Sequence, residues 1–174
     1  MELYRSPYEA YPFLCDADED LRCDFELLTD EMASRTGLLA ATVDDPALKA
    51  ELLWLCELIY HMNPTLRTRL TVTEEEKDRL VQAALRLKGQ SDGRCQLFVL
   101  TQGCPAACQA HLLRVQGKQA VRMLYRWMHR GNQVPPLLVD LANLLSGYFF
   151  YLALCLNQAA GVDEVPYESR NYTV

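Results

Sequence analysis

The sequence predicts an all-α protein, a bundle of five helices. Three observations lead there. Apolar residues recur at helical spacing along most of the 174-residue chain, and no segment alternates convincingly in the manner of a strand. Hydrophobic residues make up 50% of the chain, enough for one domain with a sizeable core, whereas the length is short for two. Proline, glycine and asparagine fall at intervals that cut the chain into helical lengths.

Residues 1–19 read as an irregular acidic lead-in, 20–167 as the helical bundle and 168–174 as a tail. The first helix is expected from Asp20 to Ala41. The second begins at Pro46, whose fixed φ suits a first turn, and ends after Met62 near Asn63-Pro64. The third begins at Thr73, where the hydroxyl of Thr73 and the carboxylate of Glu76 form a capping box, and it stops near Gly89. A polar link from Gln90 to Cys95 leads into Leu97-Phe98-Val99-Leu100, read as an extended approach to the next helix rather than a strand. The fourth helix runs from Pro105 to Arg130 and is closed by Gly131-Asn132-Gln133. After Pro135-Pro136 the fifth runs to Ala160, with Gly161 as its cap.

The fifth helix raises the question of a membrane. From Leu141 to Val162 the chain carries no charge for 22 residues, which is long enough to cross a bilayer. Asn143, Ser146, Asn157 and Gln158 interrupt it, however, and suit a helix buried at the centre of a bundle. No membrane association is therefore expected. The net charge of -6 disfavours phosphate backbones, so no nucleic-acid role is expected either. Met1 to Arg5 lacks a charged segment followed by an apolar run, so the expected location is cytoplasmic.

Seven cysteines (15, 23, 56, 95, 104, 108 and 155) are an odd number, mostly inside apolar helical patterns, and read as reduced core thiols. Cys104, Cys108 and His111 follow one another at one-turn spacing, but a fourth metal ligand is not apparent, so helix packing is the expectation and no metal site is assigned. His61 and His129 have no Ser, Cys or Asp partner that would make a hydrolytic triad.

The fourth helix carries Arg114, Lys118, Arg122, Arg126 and Arg130 at a strict spacing of four, which stacks them along one slowly rotating face. Guanidinium groups suit phosphate or carboxylate, so the stripe fits an anion site; it equally fits a solvated face or salt bridges between subunits.

Phe98-Val99-Leu100-Thr101-Gln102-Gly103-Cys104, followed by Ala107, His111 and Arg114, resembles the F-I-L-P-G-G-S…A…H…R segment of PduO-type ATP:cob(I)alamin adenosyltransferases. Arg114 through Arg122 is similar to that family's R-T-V-C-R-R-A-E-R, and Ala142 through Gly147 to its L-N-R-L-S-D. Arg22, Asp30-Glu31-Met32 and Gly37 resemble its first helix, while Ala153, Asn157, Gly161-Val162, Glu164 and Tyr167 resemble its closing segment. The likeness spans about residues 20 to 167.

The resemblance implies a homotrimer with a corrinoid pocket between subunits, where the 5′-deoxyadenosyl group of ATP, held with Mg²⁺, is transferred to cob(I)alamin. Phe98 matches the phenylalanine that presses on the lower corrin face and displaces the axial base; an axial donor raises electron density at cobalt, so its loss eases reduction. Asp30 and Arg114 match a pair that joins neighbouring subunits, and with Phe98 they are the expected catalytic set. His111, Lys118, Arg122 and Asn143 fall at the expected ligand-binding positions. The nucleotide half departs from the family pattern. Its Gly- and Thr-rich triphosphate loop is replaced by Met1 to Glu19, which has no glycine, and Asp16-Ala17-Asp18-Glu19-Asp20 would repel a polyphosphate. Lys118-Gln119 replaces an arginine pair, Val121 a glutamate, Leu144 an arginine and Gly147 an aspartate. A relative that binds a corrinoid without turning over ATP is the alternative.

Overall fold

The computed structural model describes residues 3–94 and 98–171. Cys95 and Leu97 of the expected link and approach lie outside the described residues. Five helices follow one another: α1 (Leu21–Thr42), α2 (Pro46–Met62), α3 (Glu74–Gln90), α4 (Pro105–His129) and α5 (Pro136–Ala159). Their ends are set by local chemistry. Asp20 caps α1 by accepting from the Arg22 amide at 3.1 Å, and Asp45 caps α2 through Ala47 at 2.9 Å. Before α3 the capping box forms as expected, with Thr73 N donating to Glu76 Oε2 at 2.8 Å and Glu76 N to Thr73 Oγ1 at 3.2 Å. The left-handed turns that close α4 and α5 fall on Gly131 and Gly161, with φ of 85° and 66°.

The second helix ends at Met62 as expected, and the chain then tightens into a 3-10 turn, Asn63–Leu66. Pro64 has no N–H to continue an α-helical ladder, yet its carbonyl accepts from Arg67 N at 3.0 Å.

α5 sits between α4 and α3, and α1 packs against α2 and α4. Over half (56%) of the membrane-length window in α5 is buried inside the protein, so its apolar length is used by the bundle. Tyr148 shows how the centre handles a polar atom. Its ring is fully buried and its hydroxyl donates to Glu51 Oε1 at 2.7 Å, while Arg86 holds the same carboxylate at 2.6 Å. Burial, with the Glu51 charge beside it, pushes the Tyr148 phenol above its usual range, so it stays a donor. α4 and α5 approach closely at Gly117: a Cβ there would lie 3.1 Å from the backbone nitrogen of Ser146. Ser146 Oγ donates to the Arg114 carbonyl at 3.0 Å across that seam. The six described cysteines are free thiols; Cys56 and Cys155 donate to the carbonyls of Ala33 and Leu87 at 3.2 and 3.4 Å.

The segment before α1 is tied to the bundle through Arg67. Its guanidinium makes a forked contact with Glu26 at 2.7 and 2.9 Å, reaches Asp16 at 2.9 Å, and lies 3.5 Å from the centre of the Phe13 ring. Glu26 is only 4% exposed, so Arg67 neutralises a carboxylate that water cannot reach. Burial, and then the same carboxylate, hold the nearby Tyr11 phenol up at about 12.

The chain after α5 is also tied down, as far as Tyr167. It turns back and meets the approach to α4 in an antiparallel bridge between Val99 and Pro166. Leu100 N donates to the Val165 carbonyl at 2.9 Å and Tyr167 N to the Phe98 carbonyl at 2.7 Å. A single bridge fits the expectation of an extended approach rather than a strand.

Candidate functional site

The start of α4 is built around Asn157. This side chain, 1% exposed on the last turn of α5, accepts from Cys104 N at 3.0 Å and donates to the Gln102 carbonyl at 3.1 Å. Gly103 lies between those two contacts with φ of 134°, and a Cβ there would fall 1.9 Å from Asn157 Oδ1. Glycine is therefore required both by the backbone conformation and by the approach of the amide. Cys104 then caps α4, its sulfur accepting from Ala107 N at 3.4 Å, and Cys108 Sγ points to the Gly103 carbonyl at 3.6 Å. Both thiols are thus engaged in starting the helix, and among the described residues no group of three His, Cys, Asp or Glu side chains is placed to hold a metal.

Phe98 stands on this braced approach with 81% of its surface exposed, and Leu100, Val165 and Tyr167 around the bridge are 45 to 47% exposed. Together they make an apolar surface that the chain holds out to solvent. His111, one further turn into α4, is 4% exposed; its ring lies 6.4 Å from that of Phe150 and its Nδ1 has no partner among the described residues. Burial, and the positive Arg114 next to it, push its pKa below 6.5 while Glu164 pulls the other way, so at neutral pH the imidazole is uncharged.

The basic stripe lies along the outer side of α4. Among the described residues Arg114, Lys118, Arg122 and Arg126 make no ion pair within the chain, whereas Arg130 donates to the Glu19 carbonyl. Lys118, Arg122 and Arg126 line an open groove of about 540 Å³ with Leu28 of α1 and Val115, Gln119 and Met123 of α4. A free cationic wall with apolar floor suits a ligand carrying both a flat apolar body and negative charge.

Among the described residues, those expected at the site line different clefts or none. Asn143 lines a separate cleft of about 560 Å³ between α3 and α5, with Leu144, Gly147, Lys77, Lys88, Asp140 and Tyr151 among its walls. Its side-chain amide donates back to the Val139 carbonyl at 3.0 Å. Asp30 projects toward α2, where it accepts from the Tyr60 hydroxyl at 2.8 Å, and it forms no contact with Arg114. Arg114 itself is half-buried and its Nε has no partner among the described residues. His111 and Arg114 share one end of α4, Lys118 and Arg122 its outer groove, and Asp30 and Asn143 two other faces.

The sequence matches the profile of the family described as cobalamin adenosyltransferase over residues 19–156. The chain belongs to the cobalamin adenosyltransferase family. Three solved structures of a PduO-type ATP:corrinoid adenosyltransferase from Lactobacillus reuteri share its fold. A phenylalanine-to-histidine variant complexed with cobalamin and ATP aligns with a TM-score of 0.78 at 20% identity, covering 94% of this chain and 97% of that one. A phenylalanine-to-alanine variant with the same two ligands gives 0.76 at 21%, covering 86% and 87%. An arginine-to-lysine variant complexed with ATP gives 0.73 at 22%, covering 86% and 88%. No curated protein matches the chain.

Within this adenosyltransferase fold, two features of the site escaped the sequence reading. Arg94, within the polar link, meets Glu164 through its guanidinium at 2.7 Å. Asn157 and Glu164 fall in the segment that resembles the family, and Asn157 is the hub that joins the start of α4 to the end of α5. An asparagine in an otherwise apolar helix end, with a glycine before a proline-started helix, was the available signal.

Proposed function

We propose that this protein transfers the 5′-deoxyadenosyl group of ATP to cob(I)alamin, at a site completed between copies of the chain in a homotrimer. The observation that carries the reading is Phe98: a large aromatic side chain, 81% exposed, on a backbone fixed by Asn157 and the Val99–Pro166 bridge. Burying such a ring is worth about 1.5–3 kcal/mol, so an exposed phenylalanine on a rigid approach favours an apolar, flat partner. A corrin macrocycle fits, with the Phe98 ring against its lower face and the axial base displaced.

Asp30 and Arg114 fit as an interface pair, since neither has an ionic partner among the described residues. The unpaired stripe at Lys118 and Arg122 fits the triphosphate: as the cobalt electron pair forms the Co–C5′ bond, the C5′–O bond breaks and its electrons leave on triphosphate, whose charge the stripe would stabilise. Lys118 contributes a point charge rather than a planar fork. Mg²⁺ would take most of its ligands from the phosphates and water. Six free thiols accord with a cytoplasmic location, where thiols stay reduced.

A second reading, a corrinoid-binding relative without ATP turnover, is favoured by the segment before α1. Its Asp16 and Asp20 are committed to Arg67 and Arg22, and it has no glycine with which to wrap a polyphosphate. Co(II)alamin spectra with wild-type protein and Phe98→Ala, followed by assay of adenosylcobalamin formation from ATP and chemically reduced cobalamin, separate the readings. Product formation is the expected result. A base-off shift that needs Phe98 without any product would leave the second reading, and no shift at all would remove both.

A further inference from the structure

We infer that residues 162–167 act as a clasp that positions Phe98, with Glu164 as its pin; the inference rests on the corrinoid reading and adds positioning residues to it. Phe98 is too exposed to be placed by packing of its own ring. Its position comes from its backbone, whose carbonyl accepts from Tyr167 N at 2.7 Å, and from Leu100 N, which donates to the Val165 carbonyl at 2.9 Å. Gln102 Nε2 adds a bond to the Asp163 carbonyl at 3.0 Å. These contacts hold the approach only if the returning chain is itself held.

Glu164 holds it. Its carboxylate, 9% exposed, takes Arg94 Nη2 on Oε2 at 2.7 Å and the Asn157 amide on Oε1 at 3.3 Å. Arg94 Nη2 also donates to the Val162 carbonyl at 2.5 Å, so the guanidinium grips the returning chain at two points. A buried carboxylate with both oxygens engaged cannot leave without stranding a charge on Arg94 and a donor on Asn157. Gly161, with φ of 66°, makes the turn that brings the segment back from α5. The link runs from the α5 terminus through Glu164 to the backbone beneath Phe98. Glu164 and Arg94 touch no reacting atom in this scheme; they fix where the ring stands.

The test uses the full chain with Glu164→Gln, which keeps an acceptor for Asn157 but removes the charge, and Glu164→Ala. Hydrogen exchange is read at the amides of Leu100 and Tyr167, with the amides of α2 and α3 as internal reference. Both variants are expected to exchange at least about tenfold faster at Leu100 and Tyr167, with the α2 and α3 rates unchanged. Unchanged exchange at those two amides overturns the clasp. The second readout is the spectrum of bound Co(II)alamin: the variants are expected to lose most of the base-off form although Phe98 is intact. A loosened clasp with a wild-type base-off fraction overturns the positioning role. Wild-type protein that gives no base-off form removes the corrinoid reading, and the positioning role with it, while the exchange rates still decide the clasp.

Discussion

The two segments that flank the bundle are held by opposite means. Before α1, attachment is a matter of charge: Arg67 satisfies Glu26 and Asp16, Phe13 covers its face, and Asp20 takes Arg22. After α5, attachment is mainly backbone pairing and the amide of Asn157, with one ion pair. The first arrangement commits Asp16 and Asp20 to arginines, while Tyr4, Tyr8 and Leu14 stay exposed. The second secures its own backbone and exposes Phe98, Leu100, Val165 and Tyr167. Both segments expose aromatic surface, but Phe98 stands on backbone paired with the chain after α5, whereas Tyr4 and Tyr8 lie outside the Arg67 contacts, so the second segment is the better placed to receive a partner.

The largest effect should come from breaking the first arrangement. Arg67→Ala strands Glu26, which is buried in a 4% exposed position, and is expected to cost about 3–5 kcal/mol of unfolding free energy in urea. A loss below about 1 kcal/mol would show that the network contributes little. Arg67→Met combined with Glu26→Leu sharpens the point, because removing both charges should recover most of the loss.

The second arrangement should break at its glycine. Gly103→Ala forces a left-handed φ on alanine and drives its Cβ into Asn157, so a loss of about 3 kcal/mol is expected, with faster exchange at Leu100. Gly147→Ala is the control: nothing lies within 4 Å of a Cβ there, and replacing glycine inside α5 should raise stability by up to about 1 kcal/mol. Equal behaviour of the two variants would mean that Asn157 does not define the approach.

The smallest effect concerns acid. His111 has its folded pKa pushed below the ordinary 6.5, so the unfolded chain binds more protons and stability falls as pH drops through 6.5. Arg114 opposes protonation of the ring and Glu164 favours it, and burial outweighs both. Thermal denaturation between about pH 7 and 5 checks this: His111→Phe should flatten that part of the profile. An unaltered slope would place the acid sensitivity elsewhere.

The helices were legible because their causes are local. The Thr73 and Glu76 box, Pro46, Pro105 and Gly161 act over three or four residues, and each sits where the structure uses it. The candidate roles of Phe98 and Arg114 come from the resemblance, and their surroundings were not legible in it. Arg67 draws on carboxylates 51 and 41 residues away, and Asn157 reaches back 55 residues to Gln102. No periodicity or cap signals such a pairing, so nothing near Arg67 or Arg94 in the sequence marks its partner.

The sequence by itself determined the class of fold, the five helical spans, the family and the basic stripe, because hydrophobic period, caps and motif order are properties of neighbours along the chain. Only the tertiary structure decided that Asp16 is consumed by Arg67 and that the segment after α5 returns to pair with the backbone of Phe98. It also showed that one chain distributes Asp30, Arg114, Lys118 and Asn143 over different faces. Those outcomes depend on which distant groups meet, and a buried charge or amide takes whatever partner the packed helices bring within about 3 Å.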